Sequence, residues 1–319
     1  MTTYGLKLMS ELRDARGLVR QAEMAHDAGL GFVSISDHIH PWLSDHDHSP
    51  FAWSVLGAIA SRVPDLELAT GVTCPTGRYH PVIVAHAAAT VATMSDRRLT
   101  LALGSGERLN EHVTGQPFPA IDLRLEMLAE AVEIIRSLQS GEYVTHRGAH
   151  FTAEDVRLFD LPDEPINLVM AISGPASLEV AQRGVDGVMS NEPVGELLDE
   201  WTASGGDPTN TWTEVPFAWA PSDDEGLQLA HERFRFGASG WKVMSELPNP
   251  VNFDAATQHV RPEDLADSIP HGPDATTYVE SIRELRAAGF EHIAVVPVGD
   301  DTQGLLRFLA DEVLPHVED

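Results

Sequence analysis

"GFVSISDH", Gly31–His38, holds in one short stretch the two features that indicate the fold. It begins as an apolar run of the kind that forms a buried strand, and it changes at once to an acid and an imidazole. The apolar runs "LELATGV" (Leu66–Val72) and "LTLALGSG" (Leu99–Gly106) are also followed by polar residues. Stretches with helical spacing, such as Trp53 to Arg62, separate the runs. Apolar strands that alternate with helices predict an α/β fold with a parallel sheet.

The number of apolar runs distinguishes between the possible α/β folds. Five further runs are predicted as strands: Tyr4–Met9, Ile166–Ser173, Gly187–Ser190, Glu214–Pro221 and His292–Val298. Eight strand–helix units predict a (β/α)8 TIM barrel, with a two-domain doubly wound fold as the alternative. Because no glycine-rich linker marks a boundary, we expect one domain over residues 1–319, with insertions at the C-terminal rim at about 141–165 and 238–273.

The charge of the chain limits its partners. The chain has 49 Asp and Glu residues against 21 Lys and Arg, a formal net charge of −28. Such a charge repels nucleic acid and anionic membranes, and a halophilic cytoplasm would explain it because salt screens the self-repulsion. No apolar run approaches the ~18 residues that span a bilayer, and the N-terminal residues lack an apolar signal core, so we expect a cytoplasmic protein. The single cysteine, Cys74, excludes an intrachain disulfide and a multi-cysteine zinc site.

A barrel would bring distant polar segments together, because the residues that follow its strands share one rim. Such segments follow five of the predicted strands: "SDHIHPW", "TGVTCP", "GSGERLNE", "SGPA" and "SNEP". A carboxyl group in a dry barrel mouth, such as that of Glu107, is costly to ionise and is then able to donate a proton. We therefore expect the active site at this rim.

The histidine-rich stretch Ser36–Phe51, "SDHIHPWLSDHDHSPF", has three possible interpretations. A zinc or manganese site would use His38 and His40 with a distant carboxylate, but no later His/Asp pair at a strand end completes it, so we predict no metal. A proton-transfer site would use the imidazole that follows the strand directly. A solvated loop is the interpretation we give to Asp45–His48.

Five segments, which cover most of the chain in order, resemble one enzyme family. They are "SDHIHPW", the "SPF" that follows, "TGVTCPTGRYHP", "LALGSGERLNE" and "SGPA…AQRGVDG", and they are similar to the F420-dependent glucose-6-phosphate dehydrogenase branch of the luciferase-like oxidoreductase superfamily. The resemblance implies a TIM barrel that binds coenzyme F420, an 8-hydroxy-5-deazaflavin, and forms a homodimer. It also implies a dehydrogenase that transfers a hydride between the hydroxyl-bearing carbon of an alcohol or sugar and C5 of the deazaflavin.

The resemblance further implies the roles of individual residues. His38 matches the base that takes the hydroxyl proton, Glu107 the acid that gives a proton to the cofactor, and Trp42 a tryptophan that holds the substrate. The positions that match the family's cofactor contacts are Asp37, Gly71, Val72, Cys74, Gly106, Asn110, Ser173 and Gly174. On this interpretation, the first half of the histidine-rich stretch is a proton-transfer site.

One part of the family pattern is missing. Members that act on sugar phosphates hold the phosphate with two lysines and an arginine, whereas the matching segments "SNEPVGEL", "NFDAATQ" and Asp267-Ser268 carry no cation. Glucose 6-phosphate is therefore not expected, and a neutral alcohol, sugar or lipid hydroxyl fits better. The aromatic residues that either line an apolar pocket or belong to the core are Trp201, Trp212, Trp219, Trp241 and Phe236.

Three alternative functions are compatible with a barrel of this kind. An FMN-dependent luciferase-like monooxygenase would need a reductase and oxygen, and the combination of Asp37, His38 and Glu107 argues against it. A reductase that acts on a pterin or an imine is less consistent with His38 and Glu107 than alcohol chemistry is. A non-catalytic deazaflavin-binding protein would not need His38, Trp42 or Glu107, and the chain has all three.

Overall fold

The computed structural model of the chain describes residues 2–96 and 99–317. Its strands are β1 (Thr3–Leu8), β2 (Phe32–Ile35), β3 (Glu67–Thr70), β4 (Leu99–Leu103), β5 (Val144–Arg147), β6 (Thr152–Val156), β7 (Asn167–Ala171), β8 (Gly187–Met189), β9 (Thr211–Phe217) and β10 (His292–Pro297). Within the described residues, eight of these strands pair in parallel and close into a barrel in the order β1-β10-β9-β8-β7-β4-β3-β2. The predicted TIM barrel is thus confirmed, and the doubly wound alternative is wrong.

Helices follow most of the barrel strands and cover the barrel from outside. They are α1 (Ala15–Asp27), α2 (Ala52–Arg62), α3 (Pro81–Ala92), α4 (Arg108–Glu111), α5 (Ile121–Leu138), α6 (Pro175–Ala181), α7 (Gly195–Ala203), α8 (Asp223–Phe234), α9 (Trp241–Met244), α10 (Pro250–Thr257), α11 (Ala275–Ala287), α12 (Thr302–Phe308) and α13 (Leu314–Val317). Asp14 caps α1, since its Oδ1 accepts a hydrogen bond from the Gly17 amide at 2.6 Å. Leu18, Ala22 and Ala25, whose helical spacing is evident in the sequence, form the buried face of α1.

An apolar layer fills the middle of the barrel. It consists of Phe32, Ala69, Ala102, Val169, Met189, Trp212 and Ala294. Gly5 makes room for the Phe32 ring, because a Cβ at residue 5 would lie 2.6 Å from that ring. Trp212 packs edge-on against Phe32 and stacks on His292 at a centroid distance of 4.0 Å. Each large side chain buried here stabilises the fold by roughly 1.5–3 kcal/mol. Trp212 therefore belongs to the core and does not line a pocket.

Two stretches depart from the alternation of strand and helix. Strands β5 and β6 form an antiparallel hairpin outside the barrel. The Glu130 carboxylate of α5 accepts hydrogen bonds from three backbone amides in the turn between these two strands, including that of Phe151 at 2.7 Å. The second stretch is residues 235–273 and includes helices α9 and α10, and it packs Phe236 and Phe253 against Trp42. The second stretch thus covers part of the C-terminal rim.

The longer helices α7, α8 and α11 were not placed from the sequence. Helix α8 carries a recognisable start, because Ser222 Oγ accepts a hydrogen bond from the Glu225 amide at 3.3 Å. Strand β9 begins at Thr211 and not at the predicted Glu214, and this earlier start carries Trp212 into the barrel. None of the helices in residues 2–96 and 99–317 has the length and apolar character that crossing a membrane requires.

Candidate active site

The His38 imidazole lies between two carboxyl groups at the C-terminal rim. Strand β2 ends at Ile35, so His38 is at the start of the loop that follows it. Its Nδ1 is 3.2 Å from Glu11 Oε1 and 3.2 Å from the His40 carbonyl oxygen, and its Nε2 is 3.5 Å from Glu107 Oε1. The His40 carbonyl oxygen at hydrogen-bond distance from Nδ1, with the Glu11 carboxylate also close to it, favours the tautomer that carries the proton there. Nε2 then has a lone pair that is able to accept a proton.

Glu11 is the member of this group that the sequence analysis missed. It follows β1, and its side chain is completely buried. A buried carboxylate beside an imidazole orients the ring and stabilises its protonated form. A lone glutamate in "LMSELRD" has no pattern that distinguishes it from a surface acid, and only the closure of β1 beside β2 brings it to His38.

Asn110 joins the two loops that carry His38 and Glu107. Its Oδ1 accepts hydrogen bonds from the amides of Ile39 at 2.8 Å and His40 at 3.2 Å, and its Nδ2 donates to Glu107 Oε1 at 2.5 Å. The amide is buried, so losing these bonds would leave buried polar groups unpaired. Asn110, predicted as a cofactor contact, therefore has a positioning role within the protein.

Trp42 forms an apolar wall beside His38. The two rings meet edge-on with centroids 4.6 Å apart. On its other side Trp42 stacks on Phe236 at 5.0 Å, and Phe253 packs edge-on against it at 5.3 Å. The same cluster includes Met9, Leu12, Leu43, Leu109, Met244 and Val296. Of the aromatic residues named from the sequence, Phe236 is the one that joins this wall.

Asp37 is fixed by three donors. Its Oδ2 accepts from Thr73 Oγ1 at 2.8 Å, and its Oδ1 accepts from Arg78 Nη2 at 2.9 Å and Tyr79 Oη at 3.1 Å. Burial raises the pKa of Tyr79, and the adjacent Asp37 raises it further. Burial acts to lower the pKa of Arg78, but the nearby Asp37, together with Tyr79, Glu111 and Glu107, raises it by more, so the pKa is raised. Arg78 and Tyr79 stand in the motif "GRYHP", but only the folded loops show that both side chains hold Asp37.

Glu111 links the loop after β4 to the loop that contains Arg78. Its Oε2 accepts a hydrogen bond from the Arg78 amide at 2.7 Å. Burial raises the pKa of Glu111 to about 7, and the nearby Glu107 and Asp37 act in the same direction. Near neutral pH this buried acid therefore changes its charge inside the scaffold of the rim.

We expect the Glu111→Gln variant to gain stability over the wild-type chain as the pH rises. The folded chain raises this pKa from 4.5 to about 7, so it favours the neutral acid and loses stability as the pH rises through that interval. Glutamine keeps the acceptor for the Arg78 amide and has no charge to bury. The difference in free energy of unfolding should grow by up to about 3 kcal/mol between pH 4.5 and pH 8. Urea unfolding at several pH values measures it, and parallel profiles for the two chains would contradict the assignment.

The glycines and the cysteine of the neighbouring loops pack against one another. A Cβ at Gly104 would lie 2.6 Å from Val72 Cγ2, and one at Gly106 would lie 2.6 Å from Cys74 Sγ. Gly106 also has a positive φ of 81°, which favours glycine. Burial raises the pKa of the Cys74 thiol. The absence of a side chain at Gly104 and Gly106 therefore allows the loop after β4 to pack against the loop after β3.

The remaining predicted cofactor positions lie around the same rim. Gly71 and Val72 are joined by a cis peptide bond directly after β3. Ser173 and Gly174 precede α6, and their amides donate to Ser177 Oγ at 3.0 and 3.2 Å. A Cβ at Gly174 would meet no atom within 4 Å, so open space adjoins the chain at this position.

The second half of the histidine-rich stretch is not uniformly solvated. Asp45 and Asp47 are exposed, but His46 is buried and its ring meets Phe236 edge-on at 6.2 Å. Burial lowers the pKa of His46 to about 4, so this imidazole is neutral at physiological pH. Within residues 2–96 and 99–317, no group of three His, Cys, Asp or Glu side chains is arranged to hold a metal ion.

Several known proteins that are similar in sequence to this chain are F420-dependent enzymes. A family model described as luciferase-like monooxygenase matches residues 2–292. The chain is 29% identical to the F420-dependent glucose-6-phosphate dehydrogenase of Microbacterium testaceum, over 98% of this chain and 97% of that protein. It is 32% identical to the F420-dependent hydroxymycolic acid dehydrogenase of Mycobacterium tuberculosis, over 98% of this chain and 88% of that protein. These matches confirm the resemblance inferred from the rim motifs.

Solved structures give the same result. An F420-dependent secondary alcohol dehydrogenase in complex with an F420-acetone adduct superposes with a TM-score of 0.90 at 27% identity, covering 100% of this chain and 99% of that chain. A coenzyme F420-dependent tetrahydromethanopterin reductase from Methanopyrus kandleri has a TM-score of 0.77 at 20% identity, over 99% of each chain, and so shares the fold.

Proposed function

Because the chain belongs to the luciferase-like monooxygenase family, we propose that it is an F420-dependent oxidoreductase that transfers a hydride between the cofactor and the hydroxyl-bearing carbon of an alcohol or sugar. The observation that carries this proposal is the His38 imidazole held between the buried Glu11 and Glu107. Hydride removal from an alcohol needs a base on the hydroxyl group, and this arrangement supplies one.

The residues of the rim fit a deazaflavin cofactor. Asp37 presents a carboxylate whose orientation is fixed by three donors, and open space adjoins Gly174. When bound, F420 supplies a C5 carbon that accepts or returns a hydride. We propose that Asp37 and the segment from Gly71 through Val72 to Thr73 hold its ring. Ser173 and Gly174 are proposed to hold its phosphate end.

His38 and Glu107 divide the proton chemistry in this proposal. His38 Nε2 takes the proton of the substrate hydroxyl, and Glu11 beside Nδ1 stabilises the positive charge that forms on the ring. Glu107 is mostly buried and is held through Oε1 by Asn110, and its carboxyl group is the proposed proton donor to the cofactor. Trp42 closes one side of this space to water.

The proposed function is tested by measuring the binding of F420 and of FMN, and the turnover of alcohols with F420. We expect oxidised F420 to bind the purified chain with quenching of its fluorescence, and a secondary alcohol to bleach its visible absorbance during turnover. Binding without turnover on a broad panel of alcohols and sugars would favour a deazaflavin-binding protein. Tight binding of FMN with no affinity for F420 would instead favour the monooxygenase chemistry after which the family is described.

A neutral, largely apolar alcohol is the proposed substrate. The ring beside His38 is that of Trp42, and Phe236 and Phe253 pack against Trp42 and make this side of the site apolar. Arg235 lies near this wall, but its Nη2 pairs with Asp45 at 3.3 Å and Asp254 at 3.2 Å. A guanidinium that is already paired with two carboxylates is a poor site for a phosphate dianion.

We expect the chain to oxidise apolar secondary alcohols at lower concentrations than sugar phosphates. Glucose and glucose 6-phosphate form a matched pair that differs only in the phosphate, and the phosphate should bring no gain in kcat/KM. Glucose 6-phosphate should not saturate the enzyme at millimolar concentrations. Steady-state kinetics in high salt measure kcat/KM and KM for each substrate, and efficient, saturable turnover of glucose 6-phosphate would show that a cationic site had been overlooked.

The homodimer implied by the family resemblance stays a prediction, which light scattering of the purified chain would check.

A further inference from the structure

A buried ion pair lies inside the barrel, directly below the rim. Side chains alternate between the two faces of a strand, and Gly5 and Trp212 face the barrel interior. Two residues further along the same strands, Lys7 of β1 and Glu214 of β9 therefore also face inwards, one layer closer to the C-terminal rim. Lys7 is only 2% exposed, whereas Lys242, the other lysine of the chain, is exposed.

The Lys7 ammonium group makes two contacts in this layer. Its Nζ lies 2.6 Å from Glu214 Oε2, and it also donates to the carbonyl oxygen of Gly71. Glu214 Oε1 in turn lies 3.4 Å from Asn191 Nδ2 on the rim. Taking an ammonium group out of water is costly, so it is tolerated in such a position only with well-placed acceptors. Here one acceptor is a carboxylate and the other is the backbone that begins the proposed cofactor segment.

Glycine at position 71 is what allows the second contact. A Cβ at this position would lie 2.6 Å from Lys7 Nζ, so any other residue would push the ammonium group away from the carbonyl. From Gly71 the chain continues to Thr73, whose amide donates to the Ala102 carbonyl at 2.9 Å and whose hydroxyl donates to Asp37 at 2.8 Å. The ammonium group therefore fixes the first residue of a segment that ends on Asp37.

We infer that Lys7 is a positioning residue for the cofactor, which holds the Gly71–Thr73 segment at the height where the deazaflavin ring contacts it. The inference rests on the proposed function. Glu214 has a different role, since it compensates the buried charge of Lys7 and makes no contact with Gly71 in the described part of the chain. A variant that lacks the charges of both Lys7 and Glu214 therefore tests the positioning of the cofactor without the destabilising effect of one unpaired charge.

The experiment measures F420 affinity without turnover, by quenching of the fluorescence of oxidised F420. Lys7→Met leaves the largely buried Glu214 carboxylate without its ion-pair partner, so it should lower the Tm and weaken F420 binding. The double variant Lys7→Met/Glu214→Met removes the unpaired charge and should recover most of the Tm. Its Kd for F420 should still be raised about tenfold or more, because the Gly71 carbonyl has lost a charged donor. The control Lys242→Met should bind F420 like the wild-type chain.

Each outcome has one meaning. A double variant with wild-type affinity would overturn the inference, since Lys7 would then serve only to pair Glu214. A double variant that recovers its Tm but not its affinity supports it. If the wild-type chain itself does not quench F420 fluorescence, the proposed function fails, and the inference fails with it.

Discussion

Replacing His38 with alanine is expected to lower kcat for alcohol oxidation by about 10²–10⁴-fold while the affinity for F420 changes little. The variant removes the imidazole whose Nε2 lies 3.5 Å from Glu107 Oε1, so the substrate hydroxyl loses its proposed proton acceptor. Steady-state kinetics at saturating F420 give kcat, and fluorescence titration gives the affinity. An unchanged kcat would remove His38 from the mechanism.

His40→Ala is the matched control for this experiment. The His40 ring bonds to the Leu109 carbonyl at 3.0 Å, and only its backbone carbonyl contacts His38. Loss of the ring should therefore leave kcat within a few-fold of the wild-type value. If both variants lost activity equally and both recovered it with added zinc or manganese, the two histidines would act as metal ligands and the proton-transfer interpretation would be wrong.

The second large effect is expected at Glu11, where glutamine should lower kcat by about 10²-fold with little change in KM. Glutamine is nearly isosteric, so it preserves the packing of the buried side chain. It removes the negative charge 3.2 Å from His38 Nδ1 that stabilises the protonated ring, and its amide group is able to donate where the carboxylate only accepts. The measurement is kcat across the pH range, with F420 affinity as the check on folding.

A double-mutant cycle shows whether Glu11 acts through His38. Groups that work as one unit have strongly non-additive effects on kcat. In the His38→Ala background, Glu11→Gln should therefore cost almost nothing further. A loss that multiplies with that of His38→Ala would mean that Glu11 stabilises the rim independently, and its role beside the imidazole would have to be abandoned.

The rim shows why some site residues could be inferred from the sequence and others could not. His38, Trp42 and Glu107 stand in short motifs next to apolar strands, and a barrel forces such segments to converge. The cofactor contact of Asn110 stays a prediction, and its amide also joins Glu107 to the backbone at residues 39 and 40. Local pattern identified the polar residue, but its hydrogen-bond partners depended on how two loops meet.

The sequence by itself determined the barrel and the place of the active site. Alternation of apolar strands with helices is a property of neighbouring residues, and the position just after each strand specifies the rim without any knowledge of contacts. Only the tertiary structure decided which charges meet inside it. Glu11 reaches His38, and Lys7 reaches Gly71 and Glu214, through closure of strands that are far apart in the chain. The environment of a buried charge depends on such long-range neighbours, and a single lysine or glutamate in a strand carries no local sign of them.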